Sequence, residues 1–502
     1  VLEKILINNR GEIAVRIIRA CRELGIPAVA VFSECDRKSM HVQMADEAVC
    51  IGPSPPLESY LSIDRVVQAA KKTGSTAIHP GYGFLAENSL FARRCEEEGI
   101  VFIGPSSDAL ALVGDKLRSR QTAVGSGIPI IPGMTSEGDT ETILSEAEKM
   151  GFPVLVKATA GGGGKGMRVA RSTEQLKEAI QAGMREARTA FGNPVVYVEK
   201  YIERPRHVEF QILMDQHGSG VHLFERECSI QRRHQKIIEE TPSVALTPEL
   251  REEMGRTAVK AVKAANYTNA GTVEFLLDDS REKASYYFLE VNARVQVEHP
   301  ITELVTGVDI VKQQIAIASG ERLAFRQSDL CQRGHAIECR VYAEDPERGF
   351  LPSPGKILFM KEPVGPGVRH DCGIYDGWEI PIHYDPILSK VVAWGEDRES
   401  ARRRVVNALS EYTLLGIKTT IEFSRAALSH PSFIAGDTHT DFIEKNMTGW
   451  SSLSSNADRL KAALIAASFA SLDRTGPSRS NMTRILRPSP WQTLGRWALG
   501  GK

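Results

Sequence analysis

At 502 residues, with 42% hydrophobic and 25% charged residues, the chain has the make-up of a globular protein of about three domains. A formal net charge of −1 argues against a strongly basic nucleic-acid binder, and no run approaches the ~18 apolar residues of a membrane span. The eight cysteines form no Cys-x-x-Cys pair, which argues against a zinc or dithiol site and suits a reducing compartment, with the cytoplasm as the expected location.

The amino end opens in a strand pattern, Val1 to Asn8, without the character of a signal or transit peptide. Lys4–Ile7 predicts a short strand, and residues 12–24 an amphipathic helix. Strands are expected at 28–32, 48–51, 77–78 and 101–103, with helices at 61–73 and 87–98. Such alternation predicts a parallel, doubly wound α/β domain over residues 1–114. The first turn lacks G-x-G-x-x-G, so a dinucleotide site there is not expected.

Residues 115–330 change character. Strands are predicted at 152–157 and 167–170, flanking Gly161, Gly162, Gly163, Gly164, Lys165 and Gly166. The run is no Walker loop, because Lys165 precedes Gly166 rather than Ser or Thr. Its backbone N–H groups suit a hairpin that closes over phosphates, with Lys157 ending the preceding strand. Ser172 followed by Gln175 predicts a capping box at the start of a helix. Strands at 195–200, 207–214 and 221–225, then helices at 248–265 and 309–318, complete the region.

Thr272–Leu277 and Tyr286–Asn292 are rich in β-formers about a polar turn. A hairpin symmetric about Glu282 places Glu274 opposite Glu290, with Cβ atoms about 5 Å apart. Two like charges so close call for a divalent cation, and carboxylate and amide oxygens suit Mg²⁺. Downstream, Leu289, Val291, Ala293, Val295 and Val297 alternate with Glu290, Asn292, Arg294, Gln296 and Glu298. An extended chain sends these sets to opposite faces, so one face is core and the other gathers metal ligands beside a guanidinium suited to an oxyanion.

Residues 335–446 are mixed and rich in turn residues. Residues 447–502 carry eight Lys and Arg against two Asp, a basic tail with a predicted helix at 457–472.

With these motifs in place, the chain resembles biotin carboxylase. The resemblance rests on Asp115-Lys116, Lys157-Ala158-Thr159 with the glycine run, Glu199-Lys200-Tyr201-Ile202, Arg206-His207-Val208-Glu209, residues 225–236, 290–300 and 338–346, in order from about residue 3 to 446. It implies an ATP-grasp domain over 115–330 with a mobile glycine-rich lid at about 132–203, between an N-terminal domain (1–114) and a mixed α+β C-terminal domain (331–446).

By the same resemblance, Lys116, Lys157 and the 161–166 loop should hold ATP phosphates. Glu199, Lys200, Ile202, His207, Gln231 and His234 should line the rest of the nucleotide site. Glu274, Glu290 and Asn292 should bind Mg²⁺, with Mn²⁺ as the alternative ion. Lys236, Arg294, Gln296, Val297 and Glu298 should hold bicarbonate, with Glu298 as general base. Arg340 should stabilise the biotin enolate, and Tyr82 and Gly83 should border the biotin ring. Cys228 is not expected to be a nucleophile.

No Met-Lys-Met biotinylation motif and no carboxyltransferase segment is found. The expected partners are therefore a carboxyltransferase subunit together with a separate biotin carboxyl carrier protein or domain. A homodimer or higher complex is expected, with Arg16, Arg19 and Glu23 on the relevant helix, and no nucleic acid or membrane. The basic tail with Pro488-Ser489-Pro490-Trp491 points to an acyl-CoA carboxylase, with a pyruvate or other 2-oxo-acid carboxylase as the alternative. Another ATP-grasp ligase is disfavoured by Arg294-x-Gln296-x-Glu298 together with Arg340.

Overall fold

The computed structural model describes residues 2–134, 139–158, 167–191, 194–233, 235–280, 284–452, 460–461 and 463–468. They fall into two units, Val1–Trp450 and Ser451–Lys502.

The first unit begins with five parallel strands: β1 (Ile5–Ile7), β2 (Ala28–Ser33), β3 (Glu47–Gly52), β4 (Ala77–His79) and β5 (Val101–Phe102), in the order β3-β2-β1-β4-β5. β1, β2 and β4 are buried along their whole length, which is why they read as continuous apolar runs rather than alternating ones. The helix expected from residue 87 starts instead at Ser89, because the Asn88 side chain caps it by accepting from the Phe91 N–H at 2.9 Å. That later start leaves Glu87 outside the helix.

A three-stranded antiparallel sheet, β7-β6-β8, is formed by β6 (Val154–Ala158), β7 (Arg168–Ala170) and β8 (Val196–Lys200). β6 and β7 pair as a hairpin, Val154 with Ala170 and Val156 with Arg168. The glycine run between them lies outside the described residues. Ser172 caps the next helix weakly, accepting from the Gln175 N–H at 3.4 Å. Gln175 Oε1 reaches past the expected reciprocal partner to the Arg171 N–H at 2.9 Å.

The third sheet is an eight-stranded antiparallel one. It comprises β9 (Arg206–Met214), β10 (Gly220–Arg232), β11 (Gln235–Thr241), β12 (Asn269–Asp278), β13 (Ser285–Asn292), β14 (His335–Tyr342), β15 (Val368–Cys372) and β16 (Ile387–Gly395). Their order is β13-β12-β9-β10-β11-β14-β16-β15, so the sheet runs without a break across residue 330. β10 continues well beyond the expected end at Glu225. Its extension, Arg226, Glu227 and Ser229, is polar but buried among partners, which a hydropathy pattern does not reveal. β11 and the helix His299–Thr306 are likewise additions to the expected elements.

The Glu274–Glu290 pairing predicted for the β12–β13 hairpin is present. The symmetry about Glu282 ends there: a bulge pairs Phe275 with Phe288 and leaves Leu289 as the extra residue. Val291, Ala293 and Val295 are buried as expected, whereas Leu289 and Val297 are only half-buried. Leu289 is displaced by the bulge, and Val297 lies in the turn that enters the helix His299–Thr306.

In the second unit, residues 460–461 and 463–468 are helical, with Leu460, Leu464 and Ile465 exposed. The rest of the helix expected at 457–472 lies outside the described residues. Among the described residues, no helix is long and apolar enough to cross a membrane.

Candidate active site

Strand register builds the site. Glu290 on β13 pairs with Glu274 on β12, Glu274 with Glu209 on β9, and Glu209 with Arg226 on β10. Three carboxylates therefore stand in one row across three adjacent strands, and a guanidinium closes the row. Arg226 is completely buried and donates to Glu209 (2.6 Å), Gln211 (2.8 Å) and Thr302 (3.1 Å).

Lys236 on β11 reaches over this row. Its ammonium contacts Glu209, Glu274 Oε1 at 2.8 Å and Glu298 Oε1 at 2.7 Å. Burial disfavours the charged amine, but the three carboxylates override it and hold the lysine well above its ordinary pKa. Glu274 is buried too, yet Lys236 and His207 keep it well below the carboxylate range. Burial and the neighbouring Glu274 raise Glu290, against a lowering influence from Lys116.

A carboxylate pair divided in this way fits a divalent cation, which would relieve the repulsion that raises Glu290. Ligand atoms of His207, Glu209 and Glu274, one ring nitrogen and two carboxylate oxygens, also lie within 4.8 Å of one another. Asn292, the third expected metal ligand, directs Oδ1 to Arg294 Nη2 at 3.3 Å.

Glu298 sits at the N-terminus of the helix His299–Thr306 and is completely buried. Arg340 Nη2 donates to its Oε2 at 3.0 Å while Lys236 holds Oε1. Burial would raise this carboxyl, but Lys236, Arg340 and Arg226 lower it well below its ordinary value. Arg340 also donates through Nε to Glu239 at 2.6 Å. Burial and Glu298 push Glu239 up to about 7 in spite of that contact.

Arg294 is fixed from several sides. Nε donates to Glu87 Oε2 at 3.0 Å, and Nη1 donates to Gln296 Oε1 at 3.0 Å. Glu87 Oε1 also accepts from the Ala293 N–H at 2.9 Å. Gln296 is 3% exposed, and its Nε2 has no hydrogen-bond partner among the described residues. A buried donor left open on an amide held by the Arg294 guanidinium suits a small oxyanion that brings acceptor oxygens.

The remaining expected residues are arranged around this centre. Gln231 Nε2 lies 2.6 Å from His207 Nδ1, and His207 Nε2 lies 2.9 Å from Glu274 Oε2, so the two expected nucleotide residues adjoin the acidic row. On the β6–β8 sheet, Lys157 pairs with Glu199 at 2.6 Å, and Arg120 holds the same carboxylate. Lys200 donates to the carbonyls of Gly151 (2.9 Å) and Phe152 (3.0 Å), so its side chain braces the chain locally. Ile202 is half-buried just past β8, and Lys116 begins the helix Lys116–Gly125. Tyr82 donates its hydroxyl to Glu12, and Gly83 takes φ +66°, open to glycine without strain. His234 and Gly161 to Gly166 lie outside the described residues.

Cys228 is buried, and burial beside Glu209 holds its thiol well above the ordinary value, as its expected lack of a nucleophilic role requires. Of the three residues expected at a subunit contact, Arg16 is buried and internally paired to Glu303 (3.0 Å) and Asp309 (2.6 Å). Only Arg19 and Glu23 are exposed.

Sequence reasoning missed Glu209, Arg226, Glu239, Glu87, Glu12 and Lys390. The alternation of His207 and Glu209 with Val208 and Phe210 was a usable signal for Glu209. The others depend on pairings between distant segments.

Family profiles match nearly the whole of residues 1–445. Residues 1–110 match the biotin carboxylase N-terminal domain and residues 338–445 the biotin carboxylase C-terminal domain. Residues 115–326 match the carbamoyl-phosphate synthase L chain ATP-binding domain. Biotin carboxylase 1 of Bacillus subtilis is 54% identical over 446 residues, 88% of this chain and 98% of that protein. A pyruvate carboxylase subunit of Methanothermobacter thermautotrophicus is 52% identical over 448 residues, 89% of this chain and 90% of that protein. Among solved structures, the biotin carboxylase domain dimer of Hydrogenobacter thermophilus 2-oxoglutarate carboxylase, in complex with MgADP, ADP and bicarbonate, superposes with TM-score 0.86. It is 47% identical, covering 90% of this chain and 99% of that one.

Proposed function

The chain belongs to the biotin carboxylase family, and from that premise we propose how its residues divide the ATP- and bicarbonate-dependent carboxylation of biotin. The observation that carries the assignment is the Lys236 ammonium, which touches Glu209, Glu274 and Glu298 at once. One cation thereby joins the acidic row to the buried carboxylate best placed to take a proton.

Bicarbonate lies between Lys236, Arg294, the open Gln296 Nε2 and the Val297 N–H. Glu298, kept ionised by Lys236 and Arg340, accepts its proton as a bicarbonate oxygen attacks the γ-phosphorus of ATP. The bond to ADP breaks, and carboxyphosphate forms. Lys116, Lys157 and the 161–166 loop hold the phosphates, while Glu199, Lys200, Ile202, His207, Gln231 and His234 line the nucleoside side. Glu274 and Glu290, with Asn292, would hold Mg²⁺, which supplies neutralisation of phosphate charge.

Carboxyphosphate then breaks down to CO₂ and phosphate inside the closed site. Phosphate removes the proton from the ureido nitrogen of biotin, and Arg340 stabilises the resulting enolate beside Tyr82 and Gly83. The nitrogen attacks CO₂ and completes carboxybiotin. Positioning and electrostatics do most of this work, as in other phosphoryl transfers.

Biotin arrives on a separate carrier protein or domain in the cytoplasm, and a carboxyltransferase subunit consumes the product. The domain division 1–114, 115–330 and 331–446 follows the same assignment, with a homodimer as the working assembly. An acyl-CoA acceptor rests on the basic tail. A 2-oxo-acid acceptor is the second reading, favoured by the similarity to proteins named for pyruvate and 2-oxoglutarate. The transferase that co-purifies with the chain distinguishes these acceptors.

The test of the activity is phosphate release from MgATP by the purified chain with bicarbonate and free biotin. Release that rises with biotin supports the assignment. Release indifferent to biotin contradicts it.

A further inference from the structure

Lys390 is a lysine with 0% exposure, in the middle of β16 and paired across the sheet with Arg340 on one side and Asp371 on the other. Its ammonium donates to the carbonyl of Val297 at 2.8 Å and lies 3.0 Å from Glu12 Oε2. Glu12 is 2% exposed, on the helix Gly11–Glu23, and its other oxygen accepts the hydroxyl of Tyr82. Lys390 also lies 3.9 Å from Asp371 Oδ2, and its closer ion pair with Glu12 joins two walls of the site that are far apart in the sequence.

One wall is the Val297–Glu298 peptide. Its carbonyl carbon belongs to Val297 and its nitrogen to Glu298, so fixing the carbonyl fixes the plane and the start of the Glu298 side chain. The other wall is the Tyr82 ring. Neither Lys390 nor Glu12 is needed to explain the fold locally, since β16 and the helix Gly11–Glu23 each bury ample apolar surface. A paired buried lysine and glutamate at such a position is costly and is often outperformed in stability by apolar side chains.

We infer that Lys390 and Glu12 are positioning residues that lock the Val297–Glu298 turn and the Tyr82 ring into one unit, so that the bicarbonate pocket and the biotin pocket keep a fixed separation. The inference rests on the proposed function, since it assigns those two walls to bicarbonate and biotin. Neither residue touches a reacting atom. Lys390 acts through the Val297 carbonyl and Glu12 through the Tyr82 hydroxyl. The burial of both makes the link stiff, because a displacement of either wall breaks a buried hydrogen bond to a charged group.

The consequence is a split among kinetic constants. A misplacement of about 1 Å costs on the order of 10²-fold in rate when it falls between reacting groups. ATP is held by other elements and should not sense it.

The experiment measures initial rates of biotin-dependent phosphate release by Lys390→Met and Tyr82→Phe, varying bicarbonate, biotin and MgATP in turn, beside melting curves. The expected result for Lys390→Met is a KM for bicarbonate raised at least about tenfold and a lower kcat, with the KM for MgATP within about twofold of wild type. Tyr82→Phe removes one oxygen from a half-buried ring and tests the link even where the lysine variant fails to fold. Its expected result is a raised KM for bicarbonate as well as for biotin. A bicarbonate KM unchanged in Tyr82→Phe overturns the link, as does a Lys390→Met protein that melts cooperatively with unchanged constants for both substrates. Wild-type release that ignores biotin would instead strike the proposed function itself.

Discussion

Arg340 and Glu298 share a hydrogen bond, from Nη2 to Oε2 at 3.0 Å. The residue assigned to the biotin enolate is thus attached to the residue assigned to deprotonate bicarbonate, and the two half-steps of the reaction share one buried charge pair.

Replacing the base tests its share. Glu298→Gln keeps the shape of the side chain but removes the negative charge between Lys236 and Arg340. Biotin-dependent turnover should fall by about 10²–10⁴, the usual range for loss of a general base. Binding of MgATP, followed by titration calorimetry, should stay within about threefold of wild type, since the phosphate-holding residues are untouched.

Arg340→Lys separates the two half-reactions. Lysine keeps the charge but loses the two-sided fork that reaches Glu239 and Glu298 together. Biotin-dependent turnover should drop by about 10²–10³, as for loss of one enolate-stabilising donor. Slow bicarbonate-dependent ATP hydrolysis without biotin should persist. Loss of both activities to the same extent would place Arg340 in the first step instead.

Glu290→Gln probes the acidic row. With the charge opposite Glu274 removed, the Mg²⁺ concentration for half-maximal rate should rise at least about tenfold. Raising Mg²⁺ should recover much of the activity. A Mg²⁺ titration of the initial rate checks both statements.

Acid should destabilise the fold through buried histidines. Burial pushes His41 and His222 down to about 4 and His79 to about 3. Because the folded state favours the neutral ring, this contribution is complete above the ordinary value of 6.5 and is lost as pH falls toward the depressed values. Each group costs about 1.4 kcal/mol per pH unit across that window. The urea midpoint should therefore fall steadily from pH 6.5 to pH 4. His222 packs edge-on against Phe210 and Phe224, and neither ring nitrogen has a partner among the described residues. His222→Phe should accordingly make the decline shallower.

Much of the site could be read from sequence where the contacts are local. Glu274 and Glu290 face each other across a short hairpin, so turn chemistry and strand period were enough to pair them. Arg294, Gln296 and Glu298 lie within five residues, and alternation placed them on one side. The extension of the same row to Glu209 and Arg226 needs the pairing of β12 with β9, some sixty residues apart, and no local pattern encodes it. Glu87 was hidden because its helix starts two residues later than expected. Glu12 and Lys390 are buried charged side chains whose contacts with each other, with Tyr82 and with the Val297 carbonyl join segments far apart in sequence.

At the centre of the proposed mechanism, ATP activates bicarbonate itself. This is tested by supplying bicarbonate labelled with ¹⁸O and following the phosphate released from MgATP in the presence of biotin by mass spectrometry. Attack by a bicarbonate oxygen on the γ-phosphorus predicts one heavy oxygen in each phosphate, formed one-for-one with carboxybiotin. Phosphate that carries oxygen only from water would contradict the mechanism, because the nucleophile would then be something other than the anion held by Lys236, Arg294 and Gln296.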